Sequence, residues 1–250
     1  MNRGCIVLAG ALYAEMAGVR RLGRFRKAGA LKFGADHISY YTGGIHGKDV
    51  ALFVSGVGGA KAYGTAKAAC AALPVRAYVS VGFSAALKPE LRPGDVVVGV
   101  RAAHVDDQDA CFESDRALLQ TAMGALLGYG TCLFGPLLAA DRVLTTSMEK
   151  RAVAGSALAL DMESLGAAKA ASEAGVPFLA IRVISDTLDE DLPVDFNRFM
   201  KGGGMDWPRF FLHVVTHPGV IPGLMRLGRN SRLAAHNLAG AVDRFLLKLT

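Results

Sequence analysis

The stretch "LALDMESLGAAKAASEAGVPFLAIRVISD", residues 158–186, contains two apolar runs separated by an alanine-rich segment. The runs are typical of buried β-strands, and the segment between them has the length and composition of a helix. Asp161 and Glu163 follow the first run, and Asp186 ends the second. Each acid alone is typical of a helix cap. Because a buried carboxylate is costly without partners, acids at two strand ends also indicate a site.

Strand and helix patterns alternate along most of the chain, and several strands are apolar throughout. Such strands have helices on both faces. The pattern predicts an α/β fold, a three-layer αβα sandwich around a mixed, mostly parallel twisted sheet, as one domain over residues 1–250. The predicted strands are 5–9, 38–42, 50–55, 77–81, 95–100, 131–134, 157–160 and 178–184, and the predicted helices are 60–72, 115–127, 147–154, 162–174 and 231–247.

The composition excludes several classes of protein. The chain has 250 residues, of which 52% are hydrophobic, but no run of 18 apolar residues that would predict a membrane span. The opening apolar run resembles a secretory signal, yet it is short and divided by glycine, so we expect a core strand. The four cysteines lack the spacing of a disulfide framework, which fits the cytoplasm.

The net charge of the chain and the spacing of its possible metal ligands limit which partners the sequence predicts. The net charge is +6, with arginines concentrated in residues 20–27 and 209–232. Such patches suit an anionic lipid or substrate, or are simply solvated. Because aromatic residues do not alternate with the basic ones, we expect no nucleic-acid partner. His213 and His217 have helical spacing but no acid nearby, and the acidic run 189–191 is typical of a solvated turn, so we expect no metal.

Two glycine-rich segments have open interpretations. "SGVGGAKAYGT", residues 55–65, lacks the spacing of a P-loop or of a dinucleotide motif, and it is either a plain turn or a place where a ligand approaches the backbone. Gly82 is expected to form a turn that ends a strand.

Residues 202–228 begin with a glycine hinge and continue with apolar, basic and proline residues. This segment is core, a subunit interface or a lipid-facing surface.

A series of motifs resembles the nucleoside phosphorylase family, and most closely its methylthioadenosine/S-adenosylhomocysteine nucleosidase branch. In order they are "GALYAE" at 10–15, "SGVG" at 55–58, "VGFSAAL" at 81–87 with "RPGDVVV" at 92–98, "LDMES" at 160–164, and "PFLAIRVISD" at 177–186. The resemblance covers roughly residues 4–200. It implies that family's fold and a homodimer with a shared site.

A narrower likeness is to the hopanoid-associated phosphorylases, also described as adenosylhopane nucleosidases. It rests on "LPVDFNRF" at 192–199 and "RLGRNSRLAA" at 226–235. This likeness implies removal of adenine from adenosylhopane, a polycyclic lipid joined to the 5′ carbon of adenosine. Water or phosphate is the co-substrate, and no cofactor is expected. The lipid partner implies peripheral contact with the inner face of the membrane.

The resemblance also implies a role for each matched residue. Asp186 protonates the purine as the base leaves, Glu163 binds the ribose 2′ and 3′ hydroxyls, and Glu15 orients the attacking water. Asp161 has no catalytic role. Besides Glu163, seven further residues are expected to bind substrate. Met162 is expected beneath the ribose, Ser185 in the acid loop, and Gly82, Phe83 and Ser84 in a loop bulkier than the family's "SAGG". The backbone of Val143 is expected to face adenine, and Phe196 is expected beside the 5′ substituent.

The attacking group and the substrate remain open at this level. Ala14 and Ser80 stand where phosphorylases have arginines, and a carboxylate at Glu15 would repel phosphate. We therefore expect hydrolysis to ribosylhopane, although Arg20, Arg21 or an arginine of a partner subunit would permit phosphorolysis. A second candidate is a methylthioadenosine/S-adenosylhomocysteine nucleosidase. A non-catalytic nucleoside- or lipid-binding protein is a third, which the three acids together disfavour.

Overall fold

A mixed ten-stranded sheet forms the centre of the computed structural model, which describes residues 4–201 and 204–250. Its strands are β1 (Cys5–Gly10), β2 (Arg24–Phe33), β3 (Asp36–Ile45), β4 (Lys48–Val54), β5 (Val75–Ala86), β6 (Val96–His104), β7 (Asp107–Glu113), β8 (Cys132–Ala139), β9 (Ala159–Asp161) and β10 (Phe178–Asp186). A separate hairpin pairs β11 (Met200–Lys201) with β12 (Gly204–Met205). The helices are α1 (Tyr13–Arg20), α2 (Gly59–Ala72), α3 (Arg116–Leu126), α4 (Ser147–Val153), α5 (Ser164–Glu173), α6 (Trp207–Thr216) and α7 (Ile221–Lys248).

The strand order is β10–β6–β8–β9–β5–β1–β4–β3–β2, with β7 paired to β6. The strand β10 also pairs with β5, so β5, β10, β6, β8 and β9 close into a ring. Closure gives these strands partners on both sides and removes exposed edges. The mixed sheet is confirmed, but the ring is a feature that the sequence pattern did not predict.

Alternating side chains of the sheet build two apolar layers. On one face, Ile6, Leu8 and their neighbours pack against α1, α3 and α7. On the other, Val7, Phe53 and their neighbours pack against α2 and α5. These layers make the predicted three-layer αβα arrangement. No described helix, including the 28-residue α7, is long and apolar enough to cross a membrane.

All eight predicted strands and five predicted helices are present, and the differences have physical causes. The strands β2 and β7 lie at the outside of the sheet and are largely exposed, so they lack the apolar runs that reveal buried strands. Two further helices, α1 and α6, were not predicted. Gly82 lies inside β5 instead of in a turn, and of the predicted glycine hinge, Gly202 and Gly203 lie outside the described residues.

The parallel strands β4, β1, β5 and β10 direct their carboxyl ends to one edge of the sheet. Ligand sites of α/β proteins usually lie at this edge. Helices α2 and α5 pack against each other, and Gly59 and Gly166 are in contact between them. A Cβ atom on Gly166 would lie 2.1 Å from the Gly59 carbonyl oxygen.

We predict that Gly166→Ala destabilises the fold, because a backbone carbonyl cannot move aside without separating the helices. The expected loss is about 1–3 kcal/mol in the free energy of unfolding, measured by urea denaturation. Gly124→Ala in α3 is the matched control, since nothing lies within 4 Å of its Cβ position. That variant should gain up to about 1 kcal/mol from helix propensity. Equal stability of the two variants would contradict the packing argument.

Candidate active site

A cavity of about 390 Å³ opens at the carboxyl edge of the sheet. Most of its lining is apolar, and its polar side chains include four acids, Glu15, Asp161, Glu163 and Asp186, together with Arg142 and three serines. A mostly apolar cavity with a few convergent polar groups is typical of a small-molecule site. The structure thus brings together the three acids that the sequence placed far apart.

Glu15 is held by two backbone amides. Its Oε2 accepts a hydrogen bond from Leu12 N at 2.8 Å, and its Oε1 accepts one from Phe83 N at 2.9 Å. The side chain is buried, and burial raises its pKa while the backbone amides lower it in part. A Cβ atom on Gly82 would lie 2.8 Å from Glu15 Oε1. Glycine is needed at position 82 because the carboxylate lies directly against that backbone.

Glu163 precedes α5 but does not cap it, so the capping interpretation is wrong for this residue. Its Oε1 accepts a hydrogen bond from Gly58 N at 2.8 Å. The cap is supplied by Asp161, whose Oδ1 accepts from Glu163 N and Ser164 N, both at 3.1 Å. Gly58 itself has φ 106°, which favours glycine. The "SGVG" turn therefore supplies an N–H to Glu163.

Arg182 is a buried residue to which the sequence analysis assigned no role. It lies on β10, donates from Nε to Asp161 Oδ2, and donates from Nη2 to Ser80 Oγ at 2.8 Å. An arginine inside an apolar strand was the available signal, because arginine is rarely buried without a partner. Its single positive charge faces three acids: Asp161, Glu163 and Glu15.

Burial and the neighbouring negative charges together shift the pKa of Glu163. Burial raises its pKa to about 8, with smaller contributions from the negative charges of Asp161 and Glu15. The amide of Gly58 and the charge of Arg182 act in the opposite direction. A group in this state exchanges its proton near neutral pH and can accept hydrogen bonds when ionised.

Asp186 ends β10 and is held from two sides. Its Oδ1 accepts from Ser185 Oγ at 2.8 Å, and its Oδ2 accepts from Lys150 Nζ at 3.0 Å. No helix follows it at Thr187, so the helix-cap alternative for Asp186 is wrong.

Lys150 is completely buried, and it also donates to the carbonyl oxygens of Thr187 and Glu190. Its burial could not be predicted from the sequence, because the charged run "MEKR" at residues 148–151 is typical of a solvent-exposed helix.

Most of the other residues predicted to bind substrate line the cavity. Phe83, Ser84, Met162, Ser185 and Phe196 line the cavity, whereas Gly82 lies behind Glu15 and is not part of the lining. The buried Oγ of Ser84 has no hydrogen-bond partner within the described part of the chain.

Val143 also lines the cavity, but its backbone is already occupied. Its N–H donates to Asn197 Oδ1 and its carbonyl accepts from Asn197 Nδ2, both at 2.9 Å. In this structure Asn197 therefore occupies the backbone groups that the sequence analysis expected to face adenine. The next residue, Leu144, is buried, lines the same cavity and forms no backbone hydrogen bond among the described residues.

No group of three or more histidine, cysteine, aspartate or glutamate side chains within residues 4–201 and 204–250 has the arrangement of a metal site.

We predict that Lys150→Met lowers the free energy of unfolding by about 3–5 kcal/mol at neutral pH. Removing one partner of a buried ion pair leaves the other charge without compensation. Lys67→Met is the control, because Lys67 pairs with Glu173 at the surface and exposed pairs contribute at most about 1 kcal/mol. Urea denaturation measures both values. A Lys150 variant as stable as the Lys67 variant would show that Asp186 does not need the lysine.

We predict that Glu163→Gln makes the ligand-free protein more stable at pH 8 to 9. Between its ordinary value of 4.5 and the raised pKa of about 8, the folded protein holds a proton that the unfolded chain releases. Stability therefore falls as the pH rises through this window, and glutamine removes that dependence. Thermal unfolding across the pH range measures the effect. Glu173→Gln is the control, since the pKa of Glu173 is lowered and its loss cannot stabilise the protein.

Comparison with known proteins places this arrangement in a family. Residues 6–204 match the family model described as the phosphorylase superfamily. The 5′-methylthioadenosine/S-adenosylhomocysteine nucleosidase of Shewanella denitrificans is 27% identical over an alignment of 186 residues, and the match covers 67% of this chain and 81% of that protein. The nucleosidase of the same description from Marinomonas sp. is 25% identical over an alignment of 183 residues, and the match covers 65% of this chain and 78% of that protein.

Solved structures show the same fold. The Neisseria meningitidis nucleosidase of that description, in complex with methylthio-immucillin-A, has a TM-score of 0.77 and 22% identity, covering 98% of this chain and 100% of that one. Futalosine hydrolase of Helicobacter pylori has a TM-score of 0.76 and 17% identity, covering 99% of each chain. The architecture is therefore that of the nucleoside phosphorylases and nucleosidases, and the match over residues 6–204 shows that the chain belongs to the phosphorylase superfamily.

Proposed function

We propose that this protein is a purine N-glycosidase that hydrolyses adenosylhopane to adenine and ribosylhopane. The observation that carries the proposal is the convergence of Glu15, Glu163 and Asp186 on one cavity. Membership of the phosphorylase superfamily and the similarity to nucleosidases support the reaction class. The apolar character of the cavity supports a large apolar 5′ group.

Asp186 supplies the proton that adenine needs as it leaves. The adenine anion is a poor leaving group, so a positioned acid at the ring nitrogen accelerates cleavage. Ser185 and Lys150 orient the carboxyl group at the rim of β10.

Leu144 replaces Val143 as the residue that we propose pairs with the adenine edge. Leu144 is a buried residue whose N–H and carbonyl have no backbone partner among the described residues, so the edge of a bound base would satisfy them. The unpartnered Oγ of Ser84 is a second group that a bound nucleoside would satisfy.

Glu163 binds the sugar. Two neighbouring ribose hydroxyls match the two oxygens of one carboxylate, and Met162 lies beside it in the lining. As the glycosidic bond breaks, positive charge develops on the ribose ring. The negative charge of an ionised Glu163 stabilises that oxocarbenium-like state in a site from which water is largely excluded.

Glu15 favours water over phosphate as the attacking group. Arg142 is the one basic residue among the described residues that line the cavity, and it is paired with Glu149 at 2.7 Å. Arg20 stacks on Tyr41 at 4.4 Å, and neither Arg20 nor Arg21 belongs to the described lining. A phosphate dianion would therefore face carboxylates without a free guanidinium. Phosphorolysis to phosphoribosylhopane remains the alternative if a partner subunit supplies an arginine.

The 5′ end of the substrate faces the apolar part of the cavity. Phe196, Met200, Met205, Trp207 and Leu227 form this wall. A methylthio group would leave most of the wall uncovered, whereas a polycyclic hydrocarbon would cover it. A 5′-methylthioadenosine/S-adenosylhomocysteine nucleosidase is the second candidate, and the similarity to proteins of that description favours it.

We further propose that the protein acts in the cytoplasm as a single-domain homodimer without a cofactor or a nucleic-acid partner. The resemblance to dimeric nucleosidases supports the dimer. The four cysteines, which are free and half-buried, support a reducing compartment. Residues 204–228 are the described part of the segment that we propose faces the lipid.

The test is adenine release from adenosylhopane with and without phosphate, with 5′-methylthioadenosine as the competing substrate. We expect adenine and ribosylhopane in both mixtures and a higher kcat/KM for adenosylhopane. A phosphate-dependent phosphoribosyl product would overturn the role of Glu15. Preference for 5′-methylthioadenosine would establish the second candidate, and no release from either would support a binding protein.

We predict that Asp186→Asn and Glu15→Gln each lower kcat by about 10²–10⁴-fold, the usual contribution of a general acid or base. Asp189→Asn is the matched control, because Asp189 is an exposed aspartate that pairs with Arg151. It should retain full activity. Undiminished turnover in Asp186→Asn, measured by adenine release, would exclude this residue as the acid.

A further inference from the structure

Helix α6 exposes an apolar face. None of its ten residues is buried, and Trp207, Phe211 and Val215 are 67%, 70% and 60% exposed. These three are spaced by four residues and lie on one face of the helix, next to the exposed Leu212. The helix packs on the protein through Phe210 and His213, whose rings contact those of Phe196 and Phe199. The helix is thus anchored on one side and open on the other.

The beginning of α7, which the short 3₁₀ helix Pro218–Val220 joins to α6, exposes further apolar residues and adds charge. Ile221 and Met225 are exposed one turn apart, and Arg229 follows one turn later. Arg209, Arg229 and Arg232 are exposed and form no ion pair with any described residue. The one acid between residues 204 and 232 is Asp206, which caps α6 by accepting a hydrogen bond from Arg209 N. We call the exposed sides of α6 and of α7 up to Arg232 the α6–α7 face.

The α6–α7 face adjoins the cavity. Trp207 both begins α6 and lines the cavity, and Leu227 and Ser231 line it from α7. The exposed apolar surface therefore continues from the outside of the molecule into the apolar wall of the site. A ligand with a long apolar group could pass from one to the other without leaving apolar surroundings.

An exposed apolar helix face bordered by arginines suits an anionic membrane. Apolar side chains enter the boundary of the acyl chains, and the arginines meet the phosphate groups. A second copy of the chain fits less well. A two-fold contact through this face would bring the same unpaired arginines of both subunits together.

We propose that the α6–α7 face docks on an anionic phospholipid bilayer and delivers the apolar 5′ group of the substrate from the bilayer to the cavity. The docking on a bilayer is argued from the α6–α7 face alone, whereas the delivery of substrate to the cavity rests on the proposed function.

The test is flotation of the full chain, without substrate, on vesicles of phosphatidylcholine with and without phosphatidylglycerol. We expect binding to the anionic vesicles that weakens as salt increases. Phe211→Glu with Val215→Glu should abolish binding, and Arg229→Glu with Arg232→Glu should weaken it by about tenfold or more. Met123→Glu with Leu127→Glu is the matched control, since these residues expose apolar side chains at the end of α3. The control should bind like the unaltered protein.

Two further measurements distinguish membrane docking from the proposed activity and from a subunit interface. Adenine release from a water-soluble 5′-alkylthioadenosine should be unchanged by Phe211→Glu with Val215→Glu, because neither residue lines the cavity. If no protein releases adenine but flotation follows the expected pattern, the proposed function fails and the docking holds. Absence of flotation, or flotation unaffected by the α6 variant, overturns the docking. A dimer that this variant converts to a monomer, measured by light scattering, overturns it in favour of a subunit interface.

Discussion

The buried guanidinium of Arg182 is the interaction on which the site depends. It lies on β10, binds Asp161 at the end of β9 and binds Ser80 on β5, so one side chain joins three strands. Asp161 in turn caps α5 and leaves the carboxylate of Glu163 free to face the cavity. Burying an arginine is tolerated here because it is paired with Asp161 and also donates to Ser80 Oγ and to the carbonyl oxygen of Ile181.

The same cluster explains why the site is suited to a developing cation. Three carboxyl groups surround one guanidinium, and burial together with mutual repulsion keeps the proton affinity of Glu163 high in the empty cavity. Neutralising this imbalance with a positively charged sugar ring would relieve the repulsion at the moment when catalysis requires it. Asp186 is outside this cluster and is held by a separate cation, Lys150. The proposed acid for the base and the proposed groups for the sugar are thus electrostatically distinct.

The carboxyl-terminal part of the chain adds an apolar wall to this polar centre. The short 3₁₀ helix at Phe196–Phe199 and the hairpin of β11 and β12 connect the catalytic edge of the sheet to α6. Aromatic contacts, not a buried core, hold α6 in place. This weak anchoring leaves most of the helix surface available, which is the physical basis for its proposed contact with lipid.

By itself, the sequence determined the buried strands, most of the helices between them and the strand ends near Glu163 and Asp186, because uninterrupted apolar runs and helical spacing are local signals. Glu15 lies in α1, which these patterns did not predict, and only the resemblance of the motif at residues 10–15 identified it. It did not reveal β2 or β7, whose exposed residues lack such a pattern. The tertiary structure alone decided that Lys150 and Arg182 are buried beside the acids, and that the Glu15 carboxylate lies directly against Gly82. It also decided that Asn197 binds the backbone of Val143, whereas the backbone of Leu144 has no partner among the described residues. Each of these depends on which distant segment packs against the residue. The local pattern contains no information on such contacts, because burial and pairing arise only when the chain closes around the site.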